Sequence, residues 1–311
     1  MITSITLNAA IDRIYELESV ELGGTNRVSH CMEDAGGKGM NVAKVLQALG
    51  ADVLVGGFAG GMNGTRIKEL LDKRGLPHEL IRIAGETRVC LTVLDSSAGE
   101  GTELLESGPT ILKEEWESMR KWLGEKTKEG DYFVLSGSLP KGLPKSAYAE
   151  LIEVINANGA KAILDTSGEA LLLGMEEKPF AIKPNEQEIA EVLGKKAFTE
   201  NDLIRFGEKC VNDGIEHICI TLGSAGAIFF NKEGCFKAET PKIEVVNPVG
   251  SGDAFIGGLA YGMSTGEGIK NTYRRAIACG AVNAANRDIG YVKAELVNKL
   301  ISEIQVKKIN G

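Results

Sequence analysis

The chain has 311 residues, 43% of them hydrophobic, with a formal net charge of −8 and a pI near 5.2. This size and apolar content can bury a sizeable core, and the acidic balance argues against a nucleic-acid-binding surface. No apolar run approaches the length of a membrane span, and residues 1–7 alternate like a strand rather than a signal peptide, so we expect a cytoplasmic protein with no membrane contact.

Short apolar segments alternate with amphipathic ones along most of the chain. After an opening strand, apolar runs predict strands at residues 52–59, 132–136, 160–165, 180–182 and 217–222. Apolar residues at helical spacing predict helices at residues 64–73, 113–128, 145–158 and 201–212. This alternation predicts an α/β fold with a mostly parallel central sheet flanked by helices. Ligands of such folds bind beyond the carboxyl ends of the strands.

Two segments, residues 13–33 and 79–106, interrupt this pattern because they lack helical periodicity. Gly and Ser turns divide them into short strand-like pieces. We therefore expect a small second sheet, inserted into a single α/β domain that spans residues 1–311. Two surface hairpins without a role remain an alternative.

The six cysteines and three histidines are scattered, with no CxxC or zinc-like spacing. This distribution predicts reduced cysteines in the core and no cluster of metal ligands.

The first glycine-rich segment is Gly36-Gly37-Lys38-Gly39, which opens a helix that also carries Asn41. Glycines there would let a sugar lie against the backbone, and Asn41 offers a donor and an acceptor to hydroxyl groups. Asp12 follows the first strand, where its carboxylate could bind sugar hydroxyls or simply stabilise a turn. The run is not a Walker A motif, and no GxGxxG follows the first strand.

The second glycine-rich segment reads Asn247-Pro248-Val249-Gly250-Ser251-Gly252-Asp253 and leads into an apolar helix. Small residues allow the backbone to approach a ligand closely, and the helix start favours a phosphate. Asp253 in the first turn could accept a proton from a substrate hydroxyl, although it could also serve only as a helix cap. The segment therefore indicates phosphoryl transfer.

With these two motifs in this order, the chain resembles the PfkB (ribokinase-like) sugar kinases along nearly its whole length. It is most similar to the branch of hexose-phosphate kinases that includes tagatose-6-phosphate kinase and 1-phosphofructokinase. Ser251 departs from the alanine that most members carry, and Asn247-Pro248 departs from a common Asp-Thr.

The resemblance implies a ribokinase-like fold in which the small sheet forms a lid over the sugar, often shared between two subunits. It therefore implies a homodimer through the lid. Asp253 would be the catalytic base, assisted by the amides of Gly250, Ser251 and Gly252.

The resemblance also implies which residues bind the phosphosugar. Arg27 and Arg88 would hold its existing phosphate, because a guanidinium fork matches phosphate oxygens. The other implied sugar-binding residues are Asp12, Gly37, Lys38, Gly39, Asn41, Ser136 and Ser138.

ATP and Mg²⁺ are the implied cofactors. Glu188 would act on Mg²⁺ through its water shell, although a Glu three residues after an Asn is also an ordinary capping pattern. The residues expected around ATP are Lys183, Asn185, Thr221, Gly223, Gly226 and Asn283.

The activity expected from the resemblance is phosphorylation of a ketohexose phosphate to a ketohexose 1,6-bisphosphate. Asn247-Pro248, Ser251 and residues 105–109 favour tagatose 6-phosphate, whereas the first glycine-rich segment fits fructose 1-phosphate equally well. A non-catalytic sugar-phosphate sensor and a nicotinamide-linked oxidoreductase are the other classes considered. The retained Asp253 argues against the sensor, and the absent GxGxxG argues against the oxidoreductase.

Overall fold

The computed structural model describes residues 1–97, 100–194 and 199–309. Within these residues the helices are α1 (Lys38–Ala48), α2 (Gly61–Arg74), α3 (Lys113–Lys126), α4 (Ala147–Ala157), α5 (Gly168–Glu176), α6 (Glu186–Val192), α7 (Glu200–Asn212), α8 (Ser251–Thr265), α9 (Ile269–Ala284) and α10 (Ala294–Ile301). The strands are β1 (Ile2–Thr6), β2 (Ala10–Leu17), β3 (His30–Gly36), β4 (Val53–Gly60), β5 (His78–Ile83), β6 (Arg88–Asp95), β7 (Glu100–Leu105), β8 (Tyr132–Ser136), β9 (Lys161–Asp165), β10 (Ala181–Ile182), β11 (His217–Thr221), β12 (Ala227–Asn231), β13 (Gly234–Ala238) and β14 (Val306–Ile309).

The main sheet has the strand order β14-β13-β12-β11-β10-β9-β8-β1-β4-β5. The seven strands from β11 to β5 in this order are parallel to one another, and β12, β13 and β14 form an antiparallel edge. Successive side chains of a strand face opposite sides. On β8, Val134 therefore packs into one hydrophobic cluster, while Phe133 and Leu135 pack into the other. Helices cover both faces, so the predicted α/β architecture is confirmed.

A separate sheet of four strands has the order β3-β2-β6-β7. It contains most of the two segments predicted from the missing helical periodicity, but the boundary at residue 79 is wrong. Residues 78–83 form β5, which pairs in parallel with β4 at the edge of the main sheet. The sequence of a short strand does not show which of two sheets the strand joins, and only its pairing in the folded chain decides this. Residues 98 and 99 of the predicted segment lie outside the described residues.

Ion pairs attach the small sheet to helix α2. On β3, Glu33 accepts from Arg66 of α2 (2.7 Å) and from Arg13 of β2 (3.3 Å). The next residue, Asp34, accepts from Arg74 at the end of α2 (2.6 Å). The ion pairs with Arg66 and Arg74 therefore hold β3, an edge strand of the small sheet, against α2.

Five of the six cysteines are free and buried, as the sequence predicts, but Cys31 on β3 is exposed. Cys31 lies at the exposed start of β3, whose other end is buried, and so burial does not follow from residue type alone. No helix in the described ranges is long and apolar enough to span a membrane.

Candidate active site

A cavity of about 1030 Å³ lies across the carboxyl ends of five neighbouring parallel strands. Strands in a sheet are about 4.8 Å apart, so this row of strand ends is about 19 Å long. The residues at or just after these ends that line the cavity are, in sheet order, Thr221, Lys183, Asp165, Ser136 and Thr6. The parallel sheet thus brings together side chains that lie far apart in sequence.

The amino-terminal end of α8 borders the middle of this cavity. Gly250, its N-cap, has φ 77°, a left-handed conformation that favours glycine. A Cβ atom at Gly250 would lie 2.6 Å from Cγ2 of Ile289, so the site also lacks room for a side chain. Ser251 and Gly252 open the helix, whose first turn carries backbone N–H groups with no partner inside the helix. The N–H of Ser251 donates to Pro248 O at 3.2 Å. This start can hold an anionic group, because the helix dipole adds to those donors.

Asp253 sits in the first turn of α8 and is almost completely buried. Its Oδ2 accepts a hydrogen bond of 2.8 Å from Nδ2 of Asn41 on α1. Burial raises the pKa of Asp253 to about 6, although the ammonium of Lys38 opposes this effect. A carboxylate with a pKa near neutrality is well matched to general-base work.

Asp165 at the end of β9 is flanked by two lysines. Its Oδ1 lies 3.0 Å from Nζ of Lys183, and its Oδ2 lies 3.6 Å from Nζ of Lys38. Burial by itself would raise the pKa of Asp165, but the two ammonium groups hold it below its usual range. Lys183 also lies close to the glycine segment: its Nζ is 3.7 Å from the point where a Cβ atom would stand if Gly252 had a side chain.

The small sheet borders the cavity at the β1 end of the row. Arg88 on β6 lines it, yet its fork donates to two backbone carbonyls, Asn8 O at 3.0 Å and Glu106 O at 2.9 Å. The Arg88 Nε group is buried without a hydrogen-bond partner in the described part of the chain. Asn8 Nδ2 donates to Ser138 Oγ at 3.2 Å. Donors and hydroxyls for a polar ligand therefore converge here.

Asp12 on β2 also faces this end of the cavity. Burial raises its pKa to about 6, against the opposing charge of Lys44. A Cβ atom at Gly36 would collide with the Asp12 carboxyl group, so glycine at this position leaves the space that this carboxyl group occupies.

The opposite end of the cavity, beyond β11, is mostly apolar. Its walls come from the segment 240–249 and from one side of α9, which is lined by Ile277, Gly280, Ala281 and Ala284. Gly226, with φ 104°, packs so tightly against Ala238 O that a side chain is excluded. This end of the cavity therefore offers mainly apolar surface to a ligand, next to the start of α8.

Most residues that the sequence predicts for the site line this one cavity. They are Asp12, Gly37, Lys38, Asn41, Arg88, Ser136, Ser138, Lys183, Asn185, Thr221, Gly223, Gly226, Gly250, Ser251, Gly252 and Asp253. Those that do not line it in this chain are Arg27, Gly39, Glu188 and Asn283.

These four residues have other surroundings. Arg27 lies in the exposed connection between β2 and β3. At Gly39 a Cβ atom would lie 2.7 Å from Ile5 O, so glycine allows α1 to approach β1. Glu188 forms a capping box with Asn185, each side chain accepting the other's backbone N–H.

Asn283 is completely buried and its amide is occupied by the chain itself. Its Nδ2 donates to Val249 O (2.9 Å), and its Oδ1 accepts from the backbone N–H groups of Gly290 and Tyr291. Asn283 therefore holds the glycine segment in place through Val249. Its proximity to adenine stays a prediction.

The sequence reasoning did not identify Asp165 or Asn8. Asp165 is the last residue of β9 and Asn8 lies two residues after β1, at the strand ends where ligand-binding residues of such folds occur. A search for polar residues at the end of every predicted strand would have identified both.

Among the described residues, no group of three or more His, Cys, Asp or Glu side chains could hold a metal ion. Mg²⁺ keeps several water ligands and often binds through one or two carboxylates and the phosphates of a substrate. The site therefore fits Mg²⁺ only as an ion carried largely by a nucleotide.

Comparison with known proteins gives a consistent result. Residues 5–292 match the family described as pfkB family carbohydrate kinase. The chain is 36% identical over 312 aligned residues to a tagatose-6-phosphate kinase of Staphylococcus epidermidis, covering 99% of this chain and 100% of that protein. It is 33% identical to a 1-phosphofructokinase of Bacillus subtilis, with the same coverage. A crystal structure of a putative phosphofructokinase from Staphylococcus aureus superposes with a TM-score of 0.87 at 30% identity, covering 100% of both chains.

Proposed function

Because the chain belongs to the pfkB family of carbohydrate kinases, we propose that it transfers the γ-phosphate of ATP to a ketohexose phosphate, giving a ketohexose 1,6-bisphosphate. The observation that carries this proposal is the buried Asp253 at the start of α8, in the middle of a cavity with one polar and one apolar end. The apolar end beyond β11 suits adenine, and the polar end under the small sheet suits the sugar.

In the proposed mechanism, the oxygen of a primary hydroxyl group of the sugar attacks the γ-phosphorus of ATP in line, and Asp253 accepts the proton of that hydroxyl group. The backbone N–H groups that open α8, together with Lys183, stabilise the charge on the transferring group. Bound Mg²⁺ would neutralise phosphate charge, with Asn185 and Glu188 acting through its water shell. The small sheet borders the sugar end and would exclude water during transfer.

Tagatose 6-phosphate is the proposed acceptor, with fructose 1-phosphate as the alternative. Relatives of both kinds cover the whole chain at similar identity, and both reactions give a 1,6-bisphosphate. The existing phosphate would lie near Arg88, whose Nε–H is free to donate, and near Ser138.

The test is a set of initial rates with MgATP against tagatose 6-phosphate, fructose 1-phosphate, fructose 6-phosphate and unphosphorylated fructose, coupled to ADP formation. We expect kcat/KM for one of the first two acceptors to exceed that for free fructose by at least about a hundredfold, because binding energy from the phosphate is used in the transition state. Turnover favouring free fructose would contradict the role of Arg88, and no turnover with any acceptor would contradict the kinase function.

The position of Arg27 supports a further part of the proposal, a homodimer through the small sheet. Arg27 lies in an exposed loop of that sheet, and β7 carries the exposed Leu104 and Leu105. Two adjacent exposed leucines on the edge strand of a sheet favour a protein interface, and across it Arg27 would serve the cavity of the second copy. Light scattering is expected to give twice the mass of 33.2 kDa, and Leu104→Lys is expected to reduce this mass to that of a monomer. A monomeric wild-type protein would contradict the proposal.

A further inference from the structure

Lys44 is a buried ammonium group in the second turn of α1. Its side chain is only 4% exposed, and it is not among the described residues that line the cavity. Its Nζ lies 2.7 Å from Oδ2 of Asp34 and 3.2 Å from Oδ1 of Asn41. Burying a charge costs free energy unless such partners compensate it, and the position of Lys44 outside the cavity lining gives it no direct role in binding there.

Asp34 is itself held in place by a second cation. Arg74, the last residue of α2, donates to both of its oxygens, at 2.6 and 3.0 Å. Burial alone would raise the pKa of Asp34, but Lys44 and Arg74 hold it below its usual range. Lys44 is thus fixed between helix α1 and strand β3 of the small sheet.

The ammonium group decides how the Asn41 amide is oriented. An amide side chain can be turned by half a revolution with almost no change in shape, which exchanges its oxygen and nitrogen. Lys44 has donors and no acceptor, so the oxygen of Asn41 must face it. The nitrogen of Asn41 then faces Asp253 and donates to Oδ2 at 2.8 Å. In the turned orientation both contacts would be repulsive.

We propose that Lys44 is a positioning residue for phosphoryl transfer: it fixes the amide of Asn41, which holds one oxygen of Asp253 and leaves the other for the substrate hydroxyl. The catalytic part of this inference rests on the proposed kinase function, whereas the orientation of Asn41 does not. Lys44 also binds Asp34 on β3, so one ammonium group contacts the small sheet directly and Asp253 through Asn41.

The charges around both groups determine the sign of the expected effect. Asp253 is faced by Lys38, Asp165 and Lys183 in addition to Asn41, and burial is the main cause that raises its pKa to about 6. The hydrogen bond from Asn41 opposes this rise, so its loss is expected to raise the pKa of Asp253 further. Lys44 is faced by Asp34 and Asp12, and its loss also removes a charge that lowers the pKa of Asp12.

The experiment measures the titration of Asp253 directly, by NMR of protein labelled with carboxyl-¹³C aspartate, and assigns its signal by comparison with Asp253→Asn. In Lys44→Met we expect the pKa of Asp253 to rise by at least about half a unit. The acid limb of kcat against pH should move by the same amount, and kcat at its plateau should fall at least about tenfold. Lys44→Arg, which keeps a donor-only cation, should restore most of kcat.

The matched control is Arg66→Met, which breaks an ion pair between α2 and β3 at Glu33 and has no link to Asn41. It is expected to leave the titration of Asp253 unchanged. Should Lys44→Met fail to fold, Lys44→Gln keeps a polar side chain that allows both amide orientations, and the same upward shift is expected. An unchanged pKa of Asp253 in a folded Lys44 variant would overturn the inference. Inactivity of the wild-type protein would overturn the kinase function alone, since the NMR titration needs no substrate.

Discussion

Replacing Asp253 with asparagine is expected to lower kcat by about a thousandfold, with little change in KM, because the substitution removes the proton acceptor but keeps the shape of the side chain. The carboxylate is buried at the start of α8 and holds its hydrogen bond from Asn41. Its pKa is raised to about 6 by burial, and only the deprotonated form can accept a proton. Wild-type kcat/KM is therefore expected to fall as the pH drops below about 6, and the residual activity of Asp253→Asn should lack this acid limb.

Steady-state rates over pH 5–9 with the preferred acceptor test this result. Asp12→Asn is the matched control, because burial raises the pKa of Asp12 to about 6 as well. That variant should raise KM for the sugar and keep the acid limb. If Asp253→Asn retains a kcat within about tenfold of wild type, Asp253 is not the base.

Replacing Asp165 with alanine is expected to produce the largest loss of stability among the site residues, about 3–5 kcal/mol in the free energy of unfolding. The substitution leaves Lys183 buried without its counter-ion, and Lys38 loses the carboxylate that lies 3.6 Å away. Turnover should fall too, because Lys183 would no longer be held beside Gly252. Urea titration followed by circular dichroism measures the change.

Glu200→Gln serves as the control, since it breaks an exposed ion pair with Lys237 (2.7 Å) and should change stability little. The pH dependence gives a second check. The pKa of Asp165 is lower in the folded protein than its usual value, so its stabilisation is present above the usual pKa and is lost as the pH falls through the folded-state pKa. The stability difference between wild type and Asp165→Ala should therefore shrink in acid. A difference that stays constant in acid would contradict the ion-pair account.

Local sequence accounts for much of the fold and for the centre of the site. The strands and helices predicted from periodicity are present with boundaries that differ by a few residues, whereas α5, α10 and the antiparallel strands β12–β14 were not predicted. The start of α8 is equally local, because Gly250, Gly252 and Asp253 are close neighbours in sequence. These features depend on backbone conformation and short-range spacing, which a sequence displays directly.

Other features could not be predicted from the sequence, because they depend on the surroundings that the fold gives each residue. Residues 78–83 form a short strand that the sequence places with the small sheet, but in the fold they pair with β4 of the main sheet. Glu188 and Asn283 have suitable chemistry at suitable positions, yet the chain itself uses their polar groups. Arg27 has the right charge, but in this chain it lies outside the cavity.

The sequence by itself determined the α/β class, the resemblance to the PfkB kinases and the glycine segment that ends in Asp253. Each of these features rests on periodicity or on a few adjacent residues. Only the tertiary structure decided that Asp165 joins Lys38 and Lys183, and that Lys44 lies between Asp34 and Asn41. The physical reason is that a parallel sheet aligns strand ends that are distant in sequence. Burial then decides which of those polar groups must pair with one another and which remain available for a ligand.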